Sequence, residues 1–340
     1  MREIKRISGL EILDSRGRPT VKATCELASG VVAQASVPSG ASTGAAEALE
    51  LRDREPRYRG LGCRKAAANL TGAINDLVSG REFSSQVEFD AALIALDGTT
   101  NKGRLGANAI LGASLAFARA AAFEAGEPLY RYFSSLLRGE ERISRPTINL
   151  FSGGKHAGGQ VEIQDVLVMP QTPDDLDGAL AMTAEIYACA AELCSGRYGM
   201  RLLRADEGGL APPVASPEAI FDLAMDAISR AGLEAGKDVA LAVDVAASHF
   251  SDGERYSLGG QQLSPNEMIQ RLKYWVDSYP IVSLEDGLAE SDWLNWPKLK
   301  QVLGDRALIV GDDFLCTNPA RIQRAAAAEA ANALLLKVNQ

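Results

Sequence analysis

The sequence predicts an α/β protein in which an N-terminal α+β domain is followed by a β/α barrel, and three observations support this fold class. The chain has 340 residues, which is more than one ordinary domain contains. Its first part has a strand-turn-strand pattern followed by helical segments, whereas its second part alternates apolar runs with capped helices. Between the two parts, RGEERISRPTINL mixes charge, Ser and Pro before a new apolar run. We therefore predict domains at 1–139 and 140–340.

The first domain begins with a predicted antiparallel hairpin. Residues 20–37, TVKATCELASGVVAQASV, contain two strand-like runs on either side of a glycine turn. Helical periodicity follows at about 65–79, 86–96 and 107–125. The last of these segments, ANAILGASLAFARAAAFEA, is apolar on most sides, so we expect a buried helix.

In the second half, apolar runs alternate with helices that begin at a recognisable cap. Ser216, Ser264 and Asn318 each precede a proline at the first helical position, and Glu267 completes a capping box with Ser264. Repetition about every 25 to 40 residues indicates βα units around a parallel sheet. A barrel and a doubly wound sheet both fit this repetition, but polar residues at several successive strand ends favour the barrel.

Three of these apolar runs end in a carboxylate and a fourth ends in a lysine, namely Asp244, Glu285, Asp312 and Lys337. Because parallel strands end at the same edge of a sheet, we expect these side chains to converge. Oxygen ligands suit Mg²⁺ or Mn²⁺ better than zinc. A lysine there would have a pKa lowered by desolvation and nearby cations, as a general base requires. Singly, each carboxylate is also typical of a solvated loop or a helix cap, so the metal site is predicted from the joint pattern.

Composition argues against several other classes of protein. The net charge of −9, without a basic cluster, argues against nucleic-acid binding. Since no apolar stretch has membrane-spanning length and the N-terminus lacks a signal-peptide core, we expect a cytoplasmic protein without a membrane partner. The five scattered cysteines argue against a disulfide framework or a structural zinc site. The sequence contains neither a G-x-G-x-x-G nor a Walker A motif, so a nucleotide-binding fold loses its main support.

Eight segments match, in order along the whole chain, the motifs of a known enzyme family. They are DSRGRPTV at 14–21, SVPSGASTGAAEALELRD at 36–53, NKGRLGANAILGASLA at 101–116, GGKHAGG at 153–159, DEGGLAP at 206–212, SLED at 283–286, DDFLCTNP at 312–319 and LLLKVNQ at 334–340. On these motifs the chain resembles enolase (phosphopyruvate hydratase). The resemblance implies an N-terminal α+β capping domain and an enolase-type, TIM-like β/α barrel whose first turns are irregular. It also implies Mg²⁺-dependent interconversion of 2-phosphoglycerate and phosphoenolpyruvate plus water, a step of glycolysis and gluconeogenesis.

The resemblance assigns metal ligands to matching positions. Asp244, Glu285 and Asp312 correspond to the ligands of a tightly bound Mg²⁺. Ser42, in the SGASTG loop, corresponds to a ligand of a second Mg²⁺ that arrives with the substrate. The resemblance thus implies two Mg²⁺ per active site.

Five further positions correspond to residues that handle the substrate. Lys337 corresponds to the base that takes the carbon-bound proton, as in the known enolase-superfamily arrangement of a Lys or His base beside one or two Mg²⁺. Glu207 in DEGG corresponds to the acid that helps hydroxide leave. His156 in GGKHAGG, Gln164 and Asp165 correspond to residues on the substrate side. The expected partner is thus a small phosphorylated substrate. The family resemblance, together with Arg16 in the DSRGRP motif, also suggests a homodimer.

The chain departs from the family's pattern at several positions. Asp165 stands where the family has Glu, and Ser152 replaces the Asn of the family's NGG turn. A carboxylate displaced by about 1 Å can lower a rate on the order of 100-fold. Ala46 stands where a His is often found. These differences suggest a diverged paralogue.

The family pattern continues beyond the position that matches Gln340, with further barrel strands and substrate-binding residues. We therefore expect a chain that lacks the family's C-terminal portion, with a barrel incomplete at its C-terminus. Three functions stay open at this point. The first is an enolase, the second is a paralogue acting on a phosphonate or another phosphorylated hydroxyacid, and the third is a non-catalytic, truncated enolase-like protein.

Overall fold

A computed structural model describes residues 1–40, 43–137, 141–172 and 175–340, and the chain divides into two units. The first unit comprises Met1–Gly40, Glu47–Ile143 and Lys337–Gln340, and the second comprises Ala41–Ala46 and Ser144–Leu336. The predicted boundary between residues 139 and 140 lies outside the described residues. Two short segments belong to a different unit from their neighbours in the chain, namely Ala41–Ala46 to the second unit and Lys337–Gln340 to the first. The sequence patterns did not indicate this assignment.

The first unit contains a four-stranded antiparallel sheet. Its strands are β1 (Arg2–Leu13), β2 (Pro19–Leu27), β3 (Val32–Ser36) and β4 (Glu82–Phe83), in the order β3-β2-β1-β4. The predicted hairpin is confirmed, because β2 pairs with β3. Gly30 in the connecting turn has a φ of 89°, which a residue with a Cβ rarely adopts.

The predicted helical segments of the first unit are confirmed. The helices are α1 (Arg64–Asn69), which continues through a π turn at Leu70–Ile74 into α2 (Asn75–Val78), then α3 (Gln86–Asp97), α4 (Ala107–Glu124) and α5 (Leu129–Leu137). As expected, α4 is buried on most sides. Its small residues allow a close approach to β2, since a Cβ at Gly112 would lie 3.2 Å from the Cβ of Ala23. Phe89 and Phe117 stack on each other at 4.4 Å between ring centroids.

The second unit is built on a six-stranded sheet. Its strands are β5 (Ile148–Ser152), β6 (Asp165–Pro170), β7 (Val239–Asp244), β10 (Ile281–Glu285), β11 (Leu308–Gly311) and β12 (Ala333–Leu334), in the order β12-β11-β10-β7-β6-β5. The pairings of β7 with β10, β10 with β11 and β11 with β12 are parallel, as the βα repetition predicts. The first two pairings, β5 with β6 and β6 with β7, are antiparallel. A separate hairpin consists of β8 (Tyr256–Leu258) and β9 (Gln261–Leu263).

In the described part of the second unit six helices accompany this sheet, and the three predicted caps are confirmed. The helices are α6 (Gly154–Ala157), α7 (Leu176–Tyr198), α8 (Pro217–Arg230), α9 (Pro265–Ser278), α10 (Trp296–Leu303) and α11 (Pro319–Ala327). Ser216 caps α8, Asn318 caps α11, and Ser264 forms a complete capping box with Glu267 at the start of α9. The helices cover the sheet with large buried side chains such as Trp275.

The predicted strand ending at Lys337 is wrong in its extent. Strand β12 contains only Ala333–Leu334, and the last ladder-like bond is donated by Leu335 N to Gly311 O. Beyond it the backbone bonds elsewhere, since Gln340 N donates to Lys337 O. The LLLK run therefore does not behave as one buried strand, and the side chain of Leu336 is largely exposed.

No single helix among the described residues is long and apolar enough to cross a membrane, and α4 and α5 meet that criterion only when taken together across a bend of 102°.

Candidate active site

Polar side chains form a row across one end of the second unit's sheet. In the strand pairing, Ser152 lies opposite Asp165, Asp165 opposite Asp244, and Asp244 opposite Glu285. Directly paired residues of neighbouring strands project to the same face of a sheet, so these four side chains share a face. Asp165 joins the row from the start of its strand because β6 runs antiparallel to β7. Asp312 follows the end of β11 directly, at the same edge.

Asp244 is the buried centre of this row. Gln164 Nε2 donates to its Oδ2 at 2.9 Å, and the backbone N–H of Ala246 donates to its Oδ1 at 3.1 Å. Burial, followed by the negative charges of Asp165 and Asp312, raises the pKa of Asp244 to about 8 despite the Gln164 hydrogen bond. The carboxylates of the row thus lie in an environment that is short of positive charge.

Asp286 was not predicted as a site residue, although it organises the loop that carries Asp312. Its side chain is only 4% exposed, and its two oxygens accept from Asp312 N at 3.0 Å and Asp313 N at 2.8 Å. Burial, together with the charges of Asp244 and Asp312, raises its pKa well above the usual range. The available signal was the second acid of SLED, which follows a strand-end glutamate.

Replacing Asp286 by Ala is expected to lower the free energy of unfolding by about 2 to 4 kcal/mol, because one buried and one partly buried backbone N–H group lose their acceptors. Urea unfolding monitored by circular dichroism measures this loss. The control Asp286→Asn keeps one acceptor oxygen and should lose less. Equal losses in the two variants would contradict the role given to the hydrogen bonds.

Asp165 connects the row to His156 and to two residues of β5. Its Oδ1 accepts from Ser152 Oγ at 2.6 Å and from Asn149 Nδ2, while its Oδ2 lies 2.6 Å from His156 Nδ1. Burial lowers the pKa of His156, but the Asp165 hydrogen bond and the charges of Asp165, Glu207 and Asp244 outweigh it and raise that pKa. The pair therefore favours a protonated imidazole.

Glycines place the two loops that carry His156 and Glu207. His156 lies in α6, which starts with Gly154 at a φ of 46°. A Cβ built on Gly209 of the DEGG motif would lie 2.3 Å from Ser152 Oγ, so this backbone packs directly on the Ser152 side chain. Glu207, two residues earlier, is exposed and has a φ of 63°. The DEGG motif is recognisable in the sequence, but its contact with Ser152 is visible only in the structure.

The carboxylates of Asp244, Glu285 and Asp312 form an oxygen donor set that suits Mg²⁺ or Mn²⁺. The amide of Gln164 donates to Asp244 through its Nε2. The Oε1 of the same amide is buried and has no hydrogen-bond partner among the described residues. This unpartnered acceptor and the raised pKa of Asp244 both indicate a shortage of positive charge, which a divalent cation would relieve. The residues present therefore fit such a cation.

His156, Asp165 and Glu207 form a second group, whose potential ligand atoms lie within 4.8 Å of one another. Such a group could hold a metal by distance alone. However, both oxygens of Asp165 already accept hydrogen bonds from protein groups. We therefore assign this group to hydrogen bonding beside the carboxylate row.

The predicted site residues fall into three groups. Within the second unit, the structure brings most of them to one end of the sheet, namely Asp244, Glu285, Asp312, Gln164, Asp165, His156 and Glu207. Ser42 lies outside the described residues. Lys337 belongs to the first unit, so its approach to the carboxylates stays a prediction.

Comparisons with known proteins agree with this arrangement. Residues 141–340 match the family model "Enolase, C-terminal TIM barrel domain", and residues 4–133 match "Enolase, N-terminal domain". The chain belongs to the enolase family. The enolase of Methanopyrus kandleri is 45% identical over 343 residues, an alignment that covers 100% of this chain and 80% of that protein. The predicted α/β class, with an enolase-type N-terminal domain followed by a TIM barrel, is confirmed, and membership of the enolase family supports an enolase-type lyase.

The carboxylate row of this enolase-family chain is expected to make the metal-free protein less stable as pH rises from about 6.5 to about 8. Asp244 has a folded pKa of about 8 against an ordinary 3.8, so the folded state holds the extra proton across this range. The raised pKa values of Asp286 and His156 act in the same direction. His249, whose pKa falls from 6.5 to about 4 through burial, acts only below this range.

Urea unfolding in the presence of a chelator, at several pH values within this range, measures the effect. Asp244→Asn removes one of the titrating groups, so its unfolding free energy should fall less steeply with pH. A free energy of unfolding that rises with pH in the unmodified chain would contradict the assignment.

Proposed function

We propose that the chain is a Mg²⁺-dependent lyase that interconverts 2-phosphoglycerate and phosphoenolpyruvate plus water. The observation that carries this proposal is the row of buried and partly buried carboxylates at one end of the barrel sheet, in a chain of the enolase family. Oxygen ligands in this position suit a hard divalent cation and an anionic substrate bound to it.

In this proposal Asp244, Glu285 and Asp312 would hold the first Mg²⁺, and Ser42 would contribute to holding the second. Mg²⁺ at these residues would supply the fixed positive charge that favours an extra negative charge on the substrate carboxylate. Gln164 holds Asp244 in place through its amide N–H.

The side chains divide the proton transfers between two sides. Lys337 takes the proton from the carbon next to the substrate carboxylate. Glu207 gives a proton to the hydroxyl group that leaves from the neighbouring carbon, so that water is released. His156 lies beside Glu207 and, with its raised pKa, adds a positive charge where the substrate's anionic groups bind.

The experiment is to incubate the chain with 2-phosphoglycerate and Mg²⁺ and to follow phosphoenolpyruvate by its ultraviolet absorbance. We expect turnover that stops when a chelator is added and returns with excess Mg²⁺. Glu207→Gln, which keeps the shape but not the acid, serves as the inactive control. Turnover that is indifferent to Mg²⁺, or none at all, would overturn the proposal.

A second candidate is a paralogue that acts on a phosphonate or another phosphorylated hydroxyacid. It is favoured by one observation: the two residues that depart from the family pattern, Ser152 and Asp165, touch each other at 2.6 Å. Two coupled changes beside the site can alter the discrimination between related substrates. Comparing kcat/KM for 2-phosphoglycerate and for such analogues decides between the candidates, and a clear preference for 2-phosphoglycerate removes the second.

We further propose a cytoplasmic homodimer, on the strength of the family resemblance and the DSRGRP motif around Arg16. Sedimentation equilibrium of the purified chain tests the oligomeric state. A monomer at all accessible concentrations would contradict it.

A further inference from the structure

The hydrogen bonds of Asp165 occupy both of its carboxylate oxygens. Ser152 and Asn149 donate to Oδ1, and His156 meets Oδ2 through Nδ1. Asp165 is 3% exposed, and Ser152 is fully buried. This carboxylate is therefore bound to three protein groups and presents little surface to a substrate.

The lengths of the side chains at positions 152 and 165 are linked by the packing around them. The two residues are directly paired across β5 and β6, so both project to the same face. Behind Ser152, the backbone of Gly209 lies so close that an added Cβ would meet Ser152 Oγ at 2.3 Å and Asn149 Oδ1 at 2.9 Å. Lengthening either residue alone would therefore force the other to move.

We propose that Ser152 and Asn149 are positioning residues that hold Asp165, and that Asp165 acts on the reaction only through His156. Asp165 binds Nδ1 of the imidazole, which leaves Nε2 as the nitrogen for the substrate. His156 is then the group that touches the substrate, with Glu207 as its neighbour. The catalytic part of this inference rests on the proposed function, whereas the hydrogen-bonded arrangement does not.

The first experiment detects the arrangement without any activity measurement. The chain has two histidines, so nitrogen-15 NMR of the imidazoles gives two sets of signals, which the variant His249→Gln assigns. We expect a far-downfield proton on Nδ1 of His156, caused by the short bond to a carboxylate. In Asp165→Asn, where the acceptor is uncharged, this resonance should move upfield. Its absence from the unmodified chain, or an unchanged position in Asp165→Asn, would overturn the inference even if the enzyme is active.

The second experiment measures the positioning role by steady-state kinetics. Ser152→Ala removes a hydrogen bond to a charged group with little change in volume, and kcat should fall about tenfold while KM changes less than about threefold. The matched control is Ser283→Ala, which removes another buried hydroxyl, that of a β10 residue 9% exposed and outside this network. It should leave kcat within about twofold of the unmodified chain. Equal effects of the two substitutions would overturn the positioning role.

A double-mutant cycle tests whether the two positions are coupled. Ser152→Ala and Asp165→Asn should each lower kcat, because each weakens the same hydrogen bond between the two residues. The variant that carries both should lose about tenfold less than the product of the two single losses, which is the sign of direct coupling. A combined loss equal to that product would overturn the coupling.

Discussion

Lys337→Ala is expected to lower the exchange of the carbon-bound proton of 2-phosphoglycerate by about 10³-fold, within the range for loss of a general base. Mg²⁺ affinity should change little, since the proposed metal ligands are carboxylates at the ends of β7, β10 and β11. Proton NMR in deuterium oxide measures the exchange, and isothermal titration calorimetry measures Mg²⁺ binding.

The control for this prediction is Lys273→Ala, which removes a half-exposed lysine of α9 that pairs with Asp277 in the same helix. It should leave both quantities unchanged. If Lys337→Ala lowers proton exchange and Mg²⁺ affinity equally, the lysine has a structural role and the assignment as base is wrong. Lys337 lies beyond β12 and belongs to the first unit, so its approach to the carboxylates is a prediction that this experiment also tests.

Asp244→Asn is expected to lower Mg²⁺ affinity by at least about 100-fold, because it removes one charged ligand from a set of three. Turnover at moderate Mg²⁺ should fall at least as much. The substitution should preserve the fold, since the backbone N–H of Ala246 can still be accepted by an amide oxygen. Calorimetry with Mg²⁺ and the phosphoenolpyruvate assay measure the two effects.

The same substitution should not destabilise the metal-free chain near pH 8. The pKa of Asp244 is about 8, so ionising this carboxyl in the folded state costs free energy. A neutral amide at the same position does not ionise and avoids this cost. Asp226→Asn, a change at a half-exposed ion pair of α8, is the control and should leave Mg²⁺ binding intact. Retained Mg²⁺ affinity in Asp244→Asn would contradict the metal site.

Much of the fold could be predicted from local patterns. The glycine turn before β3, the caps at Ser216, Ser264 and Asn318, and the strand runs before Asp244 and Glu285 depend on neighbours within a few residues. Such patterns also placed the carboxylates at successive strand ends. Their convergence followed from one general property of parallel sheets.

The LLLK run shows where local patterns were insufficient. The run was expected to form a buried strand, yet only Ala333–Leu334 are paired with β11 as a strand, and Leu335 adds one backbone hydrogen bond to Gly311. Whether an apolar run becomes a strand depends on what lies on both sides of it. That is a property of the sheet and not of the run.

Local patterns predicted the fold class, the caps and the strand ends, and family motifs predicted the candidate residues of the site. The register that aligns Ser152 with Asp165 and Asp244, and the role of Asp286 in binding the loop of Asp312, became visible only in the folded chain. These contacts join residues distant in the chain, at distances set by strand pairing and backbone packing. No local pattern encodes such distances, whereas a hydrogen bond of 2.6 Å between Ser152 and Asp165 depends on them directly.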